Sequence, residues 1–256
     1  MMNMNQAMPE DLILHKLLHE WQLDNSRGLA LKDDLYSVIN LCRATPAMID
    51  ALWADGWRHF GPDFFRQKID VTDQNILQII PLRIDLQNFA LSKSHRRICN
   101  KNKDLHIQYV PYTPRPAYQH LFNIHAQRFG RDAAPGLQDI LGSFQNGMVC
   151  PVLAQEIYLE NTLIAVSFID IGQIAVSSVY AVYDISFSKR ALGIYSLLEE
   201  ALFAKRNGFS YLYPGYAHTV QSHYDYKKQF TGTEYYNWKG IWQSFPGNDF
   251  LIDNFL

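Results

Sequence analysis

This chain predicts a mixed α/β (α+β) fold, on three observations. Apolar runs rich in β-branched and aromatic residues follow one another near residues 152–159, 162–169 and 174–184. A helical pattern over 190–206 comes next, closed by the C-cap pair Asn207-Gly208, and a further strand returns at 209–213 beside its predecessor. Helical and extended stretches also alternate earlier in the chain. The order β-β-β-α-β behind that first half argues for a mixed sheet covered by helices.

The individual elements follow from local signals. Residues 11–23 carry an apolar stripe through Leu14, Leu17, Leu18 and Trp21, which predicts a helix. Thr45 and Pro46 are N-cap and N1 signals for a helix through Leu52. The stretch Trp57 to Ile69 reads as a hairpin turning at Gly61-Pro62, residues 76–86 as a strand, and 92–104 as a basic helix begun at Ser92 or Ser94. Thr113-Pro114 starts another helix running to about Phe129, and 130–147 reads as a mobile connection. The aromatic tail from Tyr235 is expected to pack on the sheet. Residues 1–110 are expected to form a smaller N-terminal subdomain, and 111–256 the main domain.

Composition narrows the class. A chain of 256 residues with 48% hydrophobic and 14% aromatic content can bury a substantial core. No apolar window is long enough for a transmembrane helix, so no membrane role is expected. The polar first residues do not read as a signal peptide, and the cysteines are few and odd in number, so a cytoplasmic location is expected. A net charge of −2 means that any nucleic-acid contact must be local. The basic concentration is Lys93 to Lys103, holding Lys93, Arg96, Arg97, Lys101 and Lys103.

Three blocks carry a likeness in order. The first is Leu52 to Trp57 with Arg58. In the second, Pro81, Leu82, Arg83, Ile84 and Asp85 precede Ser92, Ser94, His95, Arg96, Arg97, Asn102, Asp104 and Leu105. In the third, Tyr183 and Asp184 lead into Lys189, Arg190, Leu192, Gly193, Tyr195 and Ser196, then Tyr211-Leu212-Tyr213, Gly215-Tyr216, Tyr226-Lys227 and Phe230. Together they resemble the arginyl- and leucyl-tRNA–protein transferases over roughly residues 45 to 230. That resemblance implies a GNAT-like acyltransferase fold, in which two neighbouring strands part and the next helix offers backbone N–H groups to a phosphate or acyl donor.

The chain also departs from that family. Where the family carries a cysteine cluster before the Pro-Val-Arg strand, associated with a metal or iron–sulfur site, residues 71–80 here hold no cysteine. The three cysteines, Cys42, Cys99 and Cys150, share no short ligand spacing, so no metal centre and no cofactor are expected. His15 and His19 lie four apart on one helical face, but no third ligand is identifiable. His218 and His223 lie nearer the expected site. Cys99 sits in the basic helix, where a thiol pKa can fall, and is read as structural.

The resemblance assigns candidate roles, each with a plainer alternative. Asp184 and Tyr216 are the candidate catalytic residues. Asp184, ending an apolar strand, either caps the next turn or orients an acceptor ammonium, whose free pKa is ~8. Lys189, Arg190, Leu192, Gly193, Tyr195, Tyr226 and Lys227 form the candidate donor-binding set. The two cations either belong to a solvated helix start or draw a tRNA phosphate there. Tyr213, Tyr216 and Tyr226 are either half-buried structural residues or stacking surfaces for a base. Ser94, His95, Arg96 and Arg97 are the candidate acceptor-binding residues, in a helix that is otherwise a charged, solvated one; His95 stands where the family has Gln.

The implied reaction is attack by an acceptor amine, of a protein N-terminus or a small molecule, on the ester of an aminoacyl-tRNA. Such an ester is already activated, so orientation and carbonyl-oxygen donors suffice. Two alternatives stay open: an acyl-CoA N-acyltransferase of the GNAT class, and a non-catalytic binder of peptide N-termini or tRNA.

Overall fold

Thr45 opens the first helix as expected, its side chain accepting the Met48 N–H ahead of Pro46. The structure, a computed structural model, describes residues 35–71, 76–128, 136–143 and 147–247. The helix expected at 11–23 lies outside them. In chain order the elements are β1 Tyr36–Asn40, α1 Pro46–Ala54, β2 Arg58–Phe60, β3 Asp63–Gln67, β4 Ile69–Val71, β5 Ile76–Asp85, α2 Lys93–Lys101 and β6 Leu105–Pro111. There follow α3 Pro116–Ala126, α4 Leu137–Leu141, β7 Val152–Leu159, β8 Thr162–Ile171 and β9 Ala175–Tyr183. The last are a 3-10 segment Ile185–Arg190, α5 Leu192–Arg206, β10 Tyr211–His218, a second 3-10 segment Asp225–Gln229, β11 Thr233–Tyr236 and β12 Trp242–Ser244.

Among the described residues the large sheet has nine strands, ordered β12-β11-β5-β10-β9-β8-β7-β6, with β4 paired to β5. Its pairs are antiparallel except β9–β10, which is parallel. A separate three-stranded sheet, β1-β3-β2, contains the hairpin that turns at Gly61-Pro62. Residues 76–85 and 105–111, which fall in the expected N-terminal subdomain, contribute β5 and β6 to the large sheet.

Helices cover both faces of this sheet because β8 alternates. Val166 and Phe168 pack with Tyr118, Leu121 and Phe122 of α3, whereas Ser167 between them points at Glu200 of α5. On the α5 side, Leu197, Leu198 and Ala201 bury against Ile84, Val176 and Leu212. Two boundaries differ from expectation. Pro116, not Pro114, is the first helical residue of α3, because Arg115 stays extended (φ −132°, ψ 139°) before it. The stretch expected as a connection contains α4, whose Leu137, Ile140 and Leu141 are buried. The tail pairs as β11 and β12, and Trp242 meets the Tyr213 ring edge-on at 5.7 Å.

Candidate active site

The parting of two strands begins with three consecutive residues. β9 and β10 pair through Tyr211↔Ala175, Leu212↔Val176 and Tyr213↔Ser177, and then separate. The next residue of β10 is Pro214, which has no N–H to continue a ladder. After it comes Gly215 at φ +99°, a left-handed conformation that favours glycine, and the β10–β5 register shifts between Leu212 and Gly215. The β8–β9 register also shifts, between Phe168 and Ile169, so that Val179 is an extra residue on β9. Bulges sharpen local twist. With one on each strand, β9 and β10 diverge.

Behind the parting, buried polar groups gather from distant segments. Glu200 of α5 is 1% exposed and takes a short hydrogen bond from Ser167 Oγ. Burial pushes its carboxyl up to about 7, with Ser167, Ser178 and Lys227 opposing that rise. Lys227, in the second 3-10 segment, turns inward: its Nζ donates to the Tyr216 carbonyl at 3.4 Å and lies 4.7 Å from the Tyr224 ring centre. Burial pulls this ammonium down to about 7; Arg58 adds to the fall and Glu200 resists it. A Cβ on Gly215 would come within 3.2 Å of the Lys227 Nζ, so the glycine also makes room for that group. Arg58, at the start of β2, is buried with its Nη1 donating to Ser177 Oγ at 2.9 Å. Its Nη2 has no hydrogen-bond partner among the described residues.

The remaining candidates are distributed around this interior. Asp184 follows β9 and caps the 3-10 segment, its Oδ1 accepting the Ser186 N–H at 2.9 Å. Lys189 and Arg190 lie in that segment, before the helix rather than in its first turn. Ala191, left-handed at φ +55°, then redirects the chain into α5. The Arg190 guanidinium makes two 2.9 Å bonds to the Asp104 carboxylate, and its own carbonyl accepts from Asn102 Nδ2. Leu192 and Tyr195 are buried with Ile157 and Ile164, and Gly193 faces Tyr183. Tyr226 packs at the edge of the α5 core, where burial raises its hydroxyl pKa. The Tyr216 hydroxyl donates to the Gly56 carbonyl at 2.7 Å, tying β10 to the α1–β2 corner, and burial raises its pKa as well.

The basic helix α2 reaches the same neighbourhood by its C-terminal end. Lys101 Nζ donates to the Lys189 carbonyl, so the end of α2 touches the 189–190 turn. Ser94, Arg96 and Arg97 are exposed, and Arg96 Nη1 donates to the Leu91 carbonyl at 2.5 Å. His95 instead points inward, 3% exposed, with its ring 4.7 Å from that of Phe230, and burial lowers its pKa. The Cys99 thiol is pushed up by burial and by Glu199, not down. His218 Nε2 lies 3.2 Å from Asp70. Arg83 is stacked between Tyr211 and Trp242 and paired with Glu234 at 2.6 Å, a role within the sheet.

Glu200 carried no signal in the sequence beyond being an acidic residue in a helix. Its opposite number Ser167 is 33 residues away, and only the β8–α5 packing joins them.

Comparisons with known proteins bear on what this arrangement is. The family model described as "Arginine-tRNA-protein transferase, C terminus" matches residues 101–237. An aspartate/glutamate leucyltransferase of Campylobacter jejuni is 30% identical over 186 residues, spanning 70% of this chain and 75% of that protein. One from Helicobacter hepaticus is 25% identical over 210 residues, spanning 79% and 85%. Among solved structures, L-PGS from Bacillus licheniformis aligns over 84% of this chain and 60% of that chain, with a TM-score of 0.46 and 18% identity. The family match spans more than half of the chain, over α5 and the two parted strands. On that match, the chain belongs to the arginine-tRNA-protein transferase family.

Proposed function

We propose that this protein transfers an aminoacyl group from the 3′ ester of a charged tRNA to an acceptor amine at the β9/β10 parting. The new C–N bond forms as the ester C–O bond breaks. The tRNA 3′-hydroxyl leaves with a proton, and the acceptor ammonium gives up the proton that frees its lone pair. What supports this reading is Lys227, whose Nζ donates to the Tyr216 carbonyl of β10 beside Gly215 and which burial pulls down to about 7. A group with that pKa exchanges protons readily at neutral pH.

Roles follow from position. Asp184, at the mouth, orients the acceptor ammonium with the oxygen not used in its cap. The first N–H groups of α5, at Leu192 and Gly193, meet the donor, since a helix start leaves such donors without intrahelical partners. The basic surface of α2 and the 189–190 turn takes the tRNA backbone, with Arg190 exchanging Asp104 for phosphate. In this reading Ser94, Arg96 and Arg97 serve the same surface. The relatives' name, aspartate/glutamate leucyltransferase, fits a leucyl donor and an acceptor with an acidic side chain. The buried Arg58 guanidinium and the half-buried Lys227 ammonium suit the carboxylate of such an acceptor.

The test is to incubate the purified chain with a mixture of charged tRNAs and an amine acceptor, with an acyl-CoA mixture in parallel. Acceptor-dependent deacylation of one charged tRNA is expected. Consumption of acyl-CoA with the tRNAs left charged would reassign the donor.

A further inference from the structure

Beside the last β9–β10 pair before the strands part, three ligand-type side chains meet from three separate parts of the chain. His59 lies on β2, Cys150 just before β7, and Asp170 near the end of β8. All three are buried, and one ligating atom of each lies within 4.8 Å of the others. Ligands at about 2.0–2.3 Å from a shared ion sit roughly 3.5 Å apart in a tetrahedron, so small side-chain rotations close the set.

The hydrogen bonds of His59 sharpen the case. Its Nδ1 lies 2.9 Å from the Gly61 carbonyl, and its Nε2 lies 2.7 Å from Asp170 Oδ2. Both facing atoms are acceptors when the carboxyl is ionised, yet a neutral imidazole carries one N–H. The Nδ1–H bond to a backbone carbonyl is the outer contact that orients a metal-ligating histidine. With Nδ1–H so engaged, Nε2 faces the carboxylate at hydrogen-bond distance, where a proton bridges the two in the metal-free chain and an ion takes its place once the side chains move apart.

Charge and access agree. Binding an ion displaces the thiol proton; the resulting thiolate, a carboxylate and a neutral imidazole sum to −2, which a divalent ion cancels. Mixed N, S and O donors suit zinc. A cavity of about 570 Å³, lined by Cys150 with Thr45, Met48 and Met148, gives a route for the ion and space for a water ligand.

We propose that His59 Nε2, Cys150 Sγ and the Asp170 carboxylate form a site for one divalent transition-metal ion of the zinc class, its fourth position facing that cavity. Short spacing between cysteines gives no sign of this site, because its ligands are joined by packing of the small sheet on the large one. The ion would clamp β2 to β8 and so hold Arg58, the neighbour of His59, against Ser177.

The experiment uses the full chain, stripped with a chelator and titrated with Co²⁺ as the probe. One ion per chain is expected, with a thiolate-to-cobalt charge-transfer band that Zn²⁺ abolishes. The band should vanish in Cys150→Ser and persist in Cys42→Ser and Cys99→Ser. Metal should raise the thermal midpoint of the unsubstituted protein and of Cys99→Ser. Failure of the unsubstituted chain to retain an ion through gel filtration would overturn the proposal, whatever the folding of the variants. A charge-transfer band that survives in Cys150→Ser would overturn it too. In either case the His59–Asp170 contact is a proton-bridged ion pair.

Discussion

Lys227 and Glu200, one from the turn after β10 and the other from the helix after β9, are within electrostatic reach of each other, and both titrate at about 7. Burial moves the two in opposite directions, the amine down and the carboxyl up. Each one's charge partly offsets the other's displacement, so their protons belong to the pair.

Between about 4.5 and 7 the folded chain holds more of the Glu200 proton than the unfolded chain does, so the cost of Glu200 to stability grows as pH rises through that window. Between about 7 and 10.5 the unfolded chain holds more of the Lys227 proton, so the cost of Lys227 is full below 7 and fades as pH rises. Lys227→Met should therefore stabilise the protein at pH ~6, by about 1–4 kcal/mol. Denaturant titrations should show this gain shrinking at alkaline pH. A loss of stability at the acid end would contradict the assignment.

Gly215 tests how the strands part. Gly215→Ala places a Cβ in a left-handed conformation and within 3.2 Å of the Lys227 Nζ. A stability loss of about 1–3 kcal/mol is expected from the backbone alone. The pH profile of transfer should shift with it, because Lys227 must move. A variant with an unchanged profile would separate Lys227 from the reaction.

Gly193 separates a structural from a binding role. A Cβ there would meet Tyr183 at an ordinary 3.6 Å, so Gly193→Ala should leave stability unchanged or raise it by about 0.4–1 kcal/mol. If the donor approaches this backbone closely, the same change should raise the KM for charged tRNA several-fold. An unaltered KM with raised stability would make Gly193 an ordinary helical residue.

These tests fall where the sequence was least legible. Local signals were readable: Thr45-Pro46, Gly61-Pro62, Ser92 and Asn207-Gly208 each mark an observed boundary, because capping and turn chemistry act over a few residues. α5 starts at Leu192, two residues after the start of the helical pattern at 190–206, because nothing in the sequence announces that Ala191 adopts a left-handed conformation. Five-residue α4 is too short for a helical period to stand out. The Tyr226-Lys227 pair is visible in the sequence, but the inward turn of Lys227 against Gly215 is a tertiary feature that no local pattern shows. The partners of Glu200 and of His59 lie 33 and 111 residues away, beyond any local pattern.

Asp184→Asn should keep the fold, since asparagine caps a turn as well as aspartate does. Transfer should slow by roughly 10²–10⁴-fold, the range of a positioned acid–base group. The deficit should narrow as pH rises toward ~8, where more of the acceptor amine is already neutral. Equal rates for the two proteins across that range would leave Asp184 as the cap of the Ile185–Arg190 segment and nothing more.

The central claim is tested most directly by the mass of the product. The purified chain is mixed with leucyl-tRNA and a peptide whose N-terminal residue is aspartate or glutamate, and the peptide is weighed by mass spectrometry. The peptide should gain one leucyl residue at its α-amine, in proportion to the tRNA deacylated, and should gain nothing with uncharged tRNA. An unmodified peptide beside tRNA that stays charged would contradict the account.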